Sequence, residues 1–204
     1  MKTQKVMDFK LFNRWDVSTL KVNDVALQSY INIKPILVPR TAGRAAKNRL
    51  WNDKAPIVER LMNKILIPGH KGKKHKISSG RSSGKAVMAY QIVIKTFQII
   101  EQTTKKNPIE VFVKALENAA PREEITTIEY GGARYPQAVD IAPQRRIDLA
   151  LRLMTQGAYQ KSFNNKVRYE KVLADEIIAA SLVDQKSAAI AKKLELERQA
   201  DASR

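Results

Sequence analysis

The sequence predicts a mainly α-helical protein, a bundle of about six helices with one protruding β-hairpin and an N-terminal extended arm. Three observations predict it. Apolar residues recur at helical spacing through most of the chain from Pro56 onward. One stretch, "IEYGGARYPQAV" (128–139), instead sets β-branched and aromatic residues around a Gly-Gly pair, the pattern of two strands joined by a tight turn. Residues 1 to about 50 carry no long periodic run. The chain therefore divides into an arm over 1–54, with a short helix, and a helical domain over 55–204 whose hairpin spans about 124–141.

Within the arm, "VSTLKVNDVALQSYI" is read as the short helix, with Ser18 as its cap. "NIKPILVPRTAGRAAKNR" follows, with two prolines and a basic end, and is expected to hold little regular structure. Ile57, Val58, Leu61, Met62, Ile65 and Leu66 mark one face of the next helix, which Pro68-Gly69 ends. "HKGKKHKISSGRSSGK" has no apolar run and reads as a loop. A helix starts near Ser82 with a stripe of Val87, Tyr90, Ile94 and Phe97, widened by Val93 and Ile100. Its successor has the clearest start: Asn107 caps, Pro108 suits the first turn and Glu110 stands three residues after the cap. Val111, Phe112, Ala115, Leu116 and Ala119 form its buried face, and Pro121 stops it.

After the hairpin, Pro143 opens a helix with Ile147, Leu151 and Met154 inward. Another covers "KVRYEKVLADEIIAASL", with Val172, Leu173, Ile177 and Ala180 inward. The final "QKSAAIAKKLELERQADASR" alternates charge over a thin apolar stripe, as an exposed helix that frays or docks elsewhere.

Charge is the strongest functional signal. The 204 residues hold 37 Lys and Arg against 20 Asp and Glu, a formal net charge of +17. Such an excess repels itself unless a polyanion neutralises it, and nucleic acid is the usual partner because each neutralised phosphate releases a counterion. An anionic membrane surface ranks second. The absence of cysteine excludes disulfides, thiolate metal sites and cysteine nucleophiles. "MKTQKVMDFKLFNRWD" lacks the apolar core of a signal peptide, and no apolar run approaches the ~20 residues of a membrane span. A cytoplasmic protein is expected.

The cations cluster. Between Arg60 and Ile100 there is no acidic residue, while the window holds Arg60, Lys64, Lys71, Lys73, Lys74, Lys76, Arg81, Lys85 and Lys95. A surface made only soluble would mix signs, so this is read as a phosphate-binding footprint. Arg145 and Arg146 fall in the first turn of a helix, where positive charge opposes the macrodipole and an external anion would offset it. The arm adds Arg40, Arg44, Lys47 and Arg49. At the hairpin tip, Gly131 and Gly132 are followed by Arg134 and Tyr135, a pair suited to gripping a phosphate and stacking on an unpaired base; packing of Tyr135 across the hairpin on Tyr130 is the other reading.

Catalysis and cofactors find little footing. His70 and His75 share a basic loop without cysteines or nearby carboxylates, too few ligands for a metal. "GRSSGK" is one residue short between its glycines for an ATP-binding loop, and Ala86 follows Lys85 where Ser or Thr is needed. Its backbone N–H groups at a helix start, beside Lys85, suit a single phosphate of a nucleic acid. No acid–base pair or nucleophile set is evident, so neither an enzyme nor a cofactor is expected.

The order "SGKAVMAYQIVIKTF", "NPIEVFVKALENAAP", "IEYGGARYPQAVDIAPQRRIDLALRLM" resembles the small-subunit ribosomal protein seven family. The resemblance covers about Ala55 to the C-terminus, roughly three quarters of the chain, and "ALENAAP", "GGARYPQAV" and "PQRR" carry it. Residues 1–50 and the basic insert 69–81 exceed the bacterial pattern and look like the archaeal and eukaryotic branch; the lysine richness and missing cysteine favour an archaeal protein.

The resemblance implies a structural protein of the small ribosomal subunit in the cytoplasm, acting in translation. It would bind the 3′ major (head) domain of 16S-class ribosomal RNA and help organise the head early in assembly. Its hairpin, tipped by Gly131 to Tyr135, would lie near the exit-site transfer RNA and the messenger RNA path. Ribosomal proteins nine, thirteen and nineteen would be head neighbours, with protein eleven near the C-terminal region. Lys85, Arg145 and Arg146 match rRNA-facing positions, whereas the contacts of arm and insert are inferred from charge alone. No membrane and no DNA partner is expected. The alternative is an architectural DNA-binding protein that uses the hairpin as a wedge, against which the single short hairpin and many helices weigh.

Overall fold

A computed structural model of the chain describes residues 10–71, 74–75, 77 and 84–204. Among these, seven α-helices and two antiparallel strand pairs follow one another in chain order. They are α1 (Val25–Gln28), α2 (Ile57–Ile65), β1 (His70–Lys71), β2 (Lys74–His75), α3 (Ala86–Thr104), α4 (Pro108–Ala119), β3 (Glu123–Tyr130), β4 (Ala133–Asp140), α5 (Pro143–Ser162), α6 (Tyr169–Ser181) and α7 (Ala188–Asp201). The fold is mainly α with a projecting hairpin, as the hydrophobic periodicity predicts.

Helix α6 packs on α3, α4 and α5 at the centre of the bundle. Phe97, Ile100, Phe112, Leu116, Ile147, Leu151, Met154 and Ile177 are fully buried there. The buried stripe of α3 is Ala89, Val93, Thr96, Phe97 and Ile100. Val87, expected inward, is 65% exposed, so the residues read as widening the stripe are its centre. Helix α3 also starts at Ala86 rather than near Ser82: Gly84 has a φ of +83°, which breaks the helical path one residue before the Lys85 cap.

The segment before α2 is knitted into the same core. Leu11 and Trp15 face each other through a tight backbone turn and are nearly fully buried. The Trp15 and Phe97 rings meet edge to face at 5.7 Å, and Phe12 meets Tyr90 at 5.1 Å. Such pairs add about 0.5–1.5 kcal/mol beyond their burial. The Asn107 side-chain oxygen accepts the N–H of Ile109 as the cap predicts, and its side-chain NH2 donates to the Asp16 backbone carbonyl at 2.6 Å, fastening the segment to α4. The short helix is capped by Asp24, whose carboxylate accepts the N–H of Ala26; Ser18 instead donates to Asp16.

The insert departs from a plain loop. His70 pairs with His75 and Lys71 with Lys74 in a short antiparallel ladder. The last helix docks: Ala189, Ile190 and Ala200 are buried, and α7 packs against α5 and β3. Its start is seated by Glu176 of α6, which is 2% exposed. One Glu176 oxygen accepts from the Ser187 hydroxyl (2.7 Å) and the Ala189 N–H (3.2 Å), and the other accepts from Lys161 Nζ (2.8 Å). Gly157 lets α5 approach that start, because a Cβ there would stand 2.5 Å from the Ala188 Cβ.

Candidate nucleic-acid interface

The hairpin is eight residues per strand, in register from Glu123 opposite Asp140 to Tyr130 opposite Ala133. Gly131 and Gly132 carry φ of +58° and +81°, the backbone of a two-residue primed turn that only glycine adopts easily. From Thr126 to Gln137 every residue is exposed, so the outer hairpin is a finger. Arg134 lies near Glu129 at 3.7 Å with its side chain 76% exposed. Tyr135 stands across from Ile128, not Tyr130, and Tyr130 and Tyr135 are 82% and 57% exposed.

The base of the finger is clamped. Arg145 forms a two-pronged pair with Glu124 through Nε (2.7 Å) and a terminal nitrogen (2.9 Å), and these hydrogen bonds hold the guanidinium pKa above its usual value. Glu197 of α7 accepts the Arg122 N–H at 3.1 Å, and Arg204 pairs with Glu123. Arg146 turns the other way. It is 7% exposed, donating to the Pro121 carbonyl and to Asp24, each at 3.1 Å. The two cations at the start of α5 thus meet carboxylates of the protein itself, which offsets their clash with the helix dipole.

The one-sign window is similarly divided. Arg60 is 2% exposed, donates to the Tyr30 carbonyl and shares Asp148 with Lys64. Lys95 lies 3.9 Å from Glu170. Lys85 is exposed at the start of α3, where no side chain caps the first turn. Lys71 and Lys74 are held together by the β1–β2 ladder, while Lys73, Lys76 and Arg81 lie outside the described residues. Arg40, Arg44 and Lys47 are exposed, the last two on a 3-10 turn, and Arg49 begins the next such turn.

A further basic groove joins Lys95 to Lys166, Arg168 and Lys171, around a cavity of about 490 Å³ between α3 and the α5–α6 connection. Sequence reading passes over it because its cations come from two separate stretches; the acid-free "NNKVR" before α6 is the one local signal. Among the described residues no three His, Asp or Glu side chains form a metal-ligating group, and no helix is long and apolar enough to cross a membrane.

A helical bundle with a fastened, projecting finger and this excess of cations defines a protein suited to binding nucleic acid. Within that class the chain belongs to the family described as ribosomal protein S7p/S5e, which matches residues 27–204. The small ribosomal subunit protein uS7 of Nanoarchaeum equitans (strain Kin4-M) is 54% identical over 198 residues, 97% of this chain and 100% of that protein. That of Methanosphaera stadtmanae is 50% identical over 192 residues, 94% of this chain and 97% of that protein. The chain is thus of the archaeal type. The likeness starts well before Ala55, which fits the burial of Leu27 and Ile31 in the bundle.

Proposed function

We propose that the chain is a structural constituent of the small ribosomal subunit that binds the head domain of its ribosomal RNA and helps organise the head during assembly. The observation that carries this reading is family membership, joined to cations gathered on the β1–β2 insert, the start of α3 and the arm. Arg40, Arg44, Lys47, Lys85 and the insert lysines grip phosphates, as do Arg49, Arg81 and Arg145. Arg146 braces the start of α5 from within, since its guanidinium is turned inward. The finger reaches toward the exit-site transfer RNA and the messenger RNA, offering Arg134 and Tyr135. Ribosomal proteins nine, thirteen and nineteen are the chain's neighbours in the head, and protein eleven meets its C-terminal region.

A footprint on small-subunit ribosomal RNA tests the reading. Protection is expected within the 3′ major domain, with affinity falling steeply and linearly on a log–log salt plot because many phosphates are contacted. A flat salt slope, or protection outside that domain, would sink it.

A further inference from the structure

Helix α6 ends in a turn suited to glycine that holds valine instead. The Asp184 N–H donates to the Ala179 carbonyl (2.9 Å) and the Val183 N–H to the Ala180 carbonyl (3.2 Å), the pair of bonds that closes a helix on a left-handed residue. Val183 supplies that residue with a φ of +60°. A β-branched side chain in this region is strained, whereas glycine is not. Valine therefore does not serve the turn. Nor does it serve the core, since Val183 is 56% exposed beside Leu182 at 72%. Single surface aliphatics are ordinary; two in succession, one of them strained, mark a place for an apolar neighbour.

The turn is also held firmly. Asn118 of α4 donates its side-chain NH2 to the Ala180 and Ser181 carbonyls, at 3.2 and 3.0 Å. The Asp184 side chain accepts the Lys186 N–H (3.0 Å), and the Asp184 backbone carbonyl accepts the Ser187 N–H (3.0 Å). Side chains on so fixed a backbone lose little entropy on docking. Cations stand nearby. The Lys186 side chain is 88% exposed, 3.9 Å from Asp184. Lys193 Nζ donates to the Asn118 carbonyl at 2.7 Å, and Lys114 is exposed one turn before Asn118 on α4. The carboxylates of Asp184 and Glu117 already accept backbone N–H groups, those of Lys186 and Asn23.

We propose that Leu182 and Val183 anchor a protein–protein contact, seated in an apolar depression of another small-subunit protein whose rim is acidic; the inference rests on the small-subunit reading above. The aliphatic pair sets the depression, and Lys114, Lys186 and Lys193 set the sign of the rim. RNA is the poorer fit, because two aliphatic side chains neither donate to phosphates nor offer a flat face to bases. A second copy of the chain is repelled by its net charge of +17.

The test sets wild type against a double variant, Leu182→Ser with Val183→Gly, in equal amounts. They compete for a small-subunit ribosomal RNA transcript, first alone and then with the remaining small-subunit proteins. Near-equal shares are expected on the RNA alone. In the reconstituted subunit wild type is expected to be favoured about 5- to 50-fold, through the aliphatic surface that docking removes from water. Val183→Gly by itself is expected to raise the melting temperature of the free chain by roughly 1–4 °C as the strain is relieved. p-Benzoylphenylalanine in place of Leu182, irradiated in the assembled subunit, is expected to crosslink to a protein segment that carries Asp or Glu beside apolar residues. Equal shares in the subunit, a lowered melting temperature, or the lack of such a protein adduct overturns the proposal. The same preference for wild type on RNA alone, or an adduct with RNA, overturns it in favour of an RNA contact. Failure of both chains to enter the subunit overturns the small-subunit reading itself.

Discussion

Arg145 and Arg146 are adjacent, identical in chemistry and opposite in consequence. Arg146→Ala removes a guanidinium that is 7% exposed and strands its two acceptors, the Pro121 carbonyl and the Asp24 carboxylate. Breaking a buried pair from one side costs about 3–5 kcal/mol. Asp24 keeps 26% of its side chain in solvent, which lowers the expected loss to about 2–4 kcal/mol. For a chain of this size that is a melting-temperature drop of roughly 4–16 °C, and a shift of about 1 M in the urea midpoint at unchanged slope. Arg145→Ala breaks a pair whose side chains are 54% and 23% exposed, so its loss is at most about 1 kcal/mol. Urea unfolding followed by circular dichroism measures both. An Arg146→Ala protein that unfolds with the wild type, or an Arg145→Ala protein destabilised as much as Arg146→Ala, refutes the reasoning.

Gly157→Ala gains helix propensity of about 1 kcal/mol but drives a methyl into Ala188, so a net loss of about 1–2 kcal/mol is expected. Pairing it with Ala188→Gly should recover most of that loss in a thermal melt, and a stabilised single variant would exclude the close approach of α5 and α7. Replacing Lys71, Lys73, Lys74 and Lys76 with Ala is expected to weaken ribosomal RNA binding and flatten its salt slope without changing the melting temperature; unchanged affinity in a filter assay removes the insert from the interface. Arg134→Ala with Tyr135→Ala is expected to leave subunit assembly intact and reduce exit-site transfer RNA retention. Failure of assembly would give the finger an architectural role instead.

What the sequence makes legible is what depends on neighbours along the chain. The Asn107 cap, Pro108, the Gly131-Gly132 turn and the opening of α5 at Pro143 are local, and the structure places each as read. Partners far apart in sequence are not legible in this way. Arg146 reads as surface until Asp24, 122 residues away, is brought beside it. Arg60 likewise counts as a free cation until it finds Asp148 and the Tyr30 carbonyl. The segment around Leu11 and Trp15 lacks periodicity because it reaches the core through a turn rather than a helix face. The thin stripe of α7 suffices because Glu176 and Ser187 fix its start.

The finger has a thermodynamic consequence of its own. A lone two-stranded ribbon is marginal in water, and both outer edges of β3 and β4 are open among the described residues. Its firmness comes from the clamp at its root, where Glu124, Glu123 and Glu197 are held. Stability therefore declines along the ribbon toward the glycines, and its distal backbone amides exchange with solvent ahead of the bundle's. The entropy of ordering that tip is then charged to the step in which it meets its neighbours. Folding of the bundle and seating of the finger become separable events, with the α7 clamp as the boundary between them.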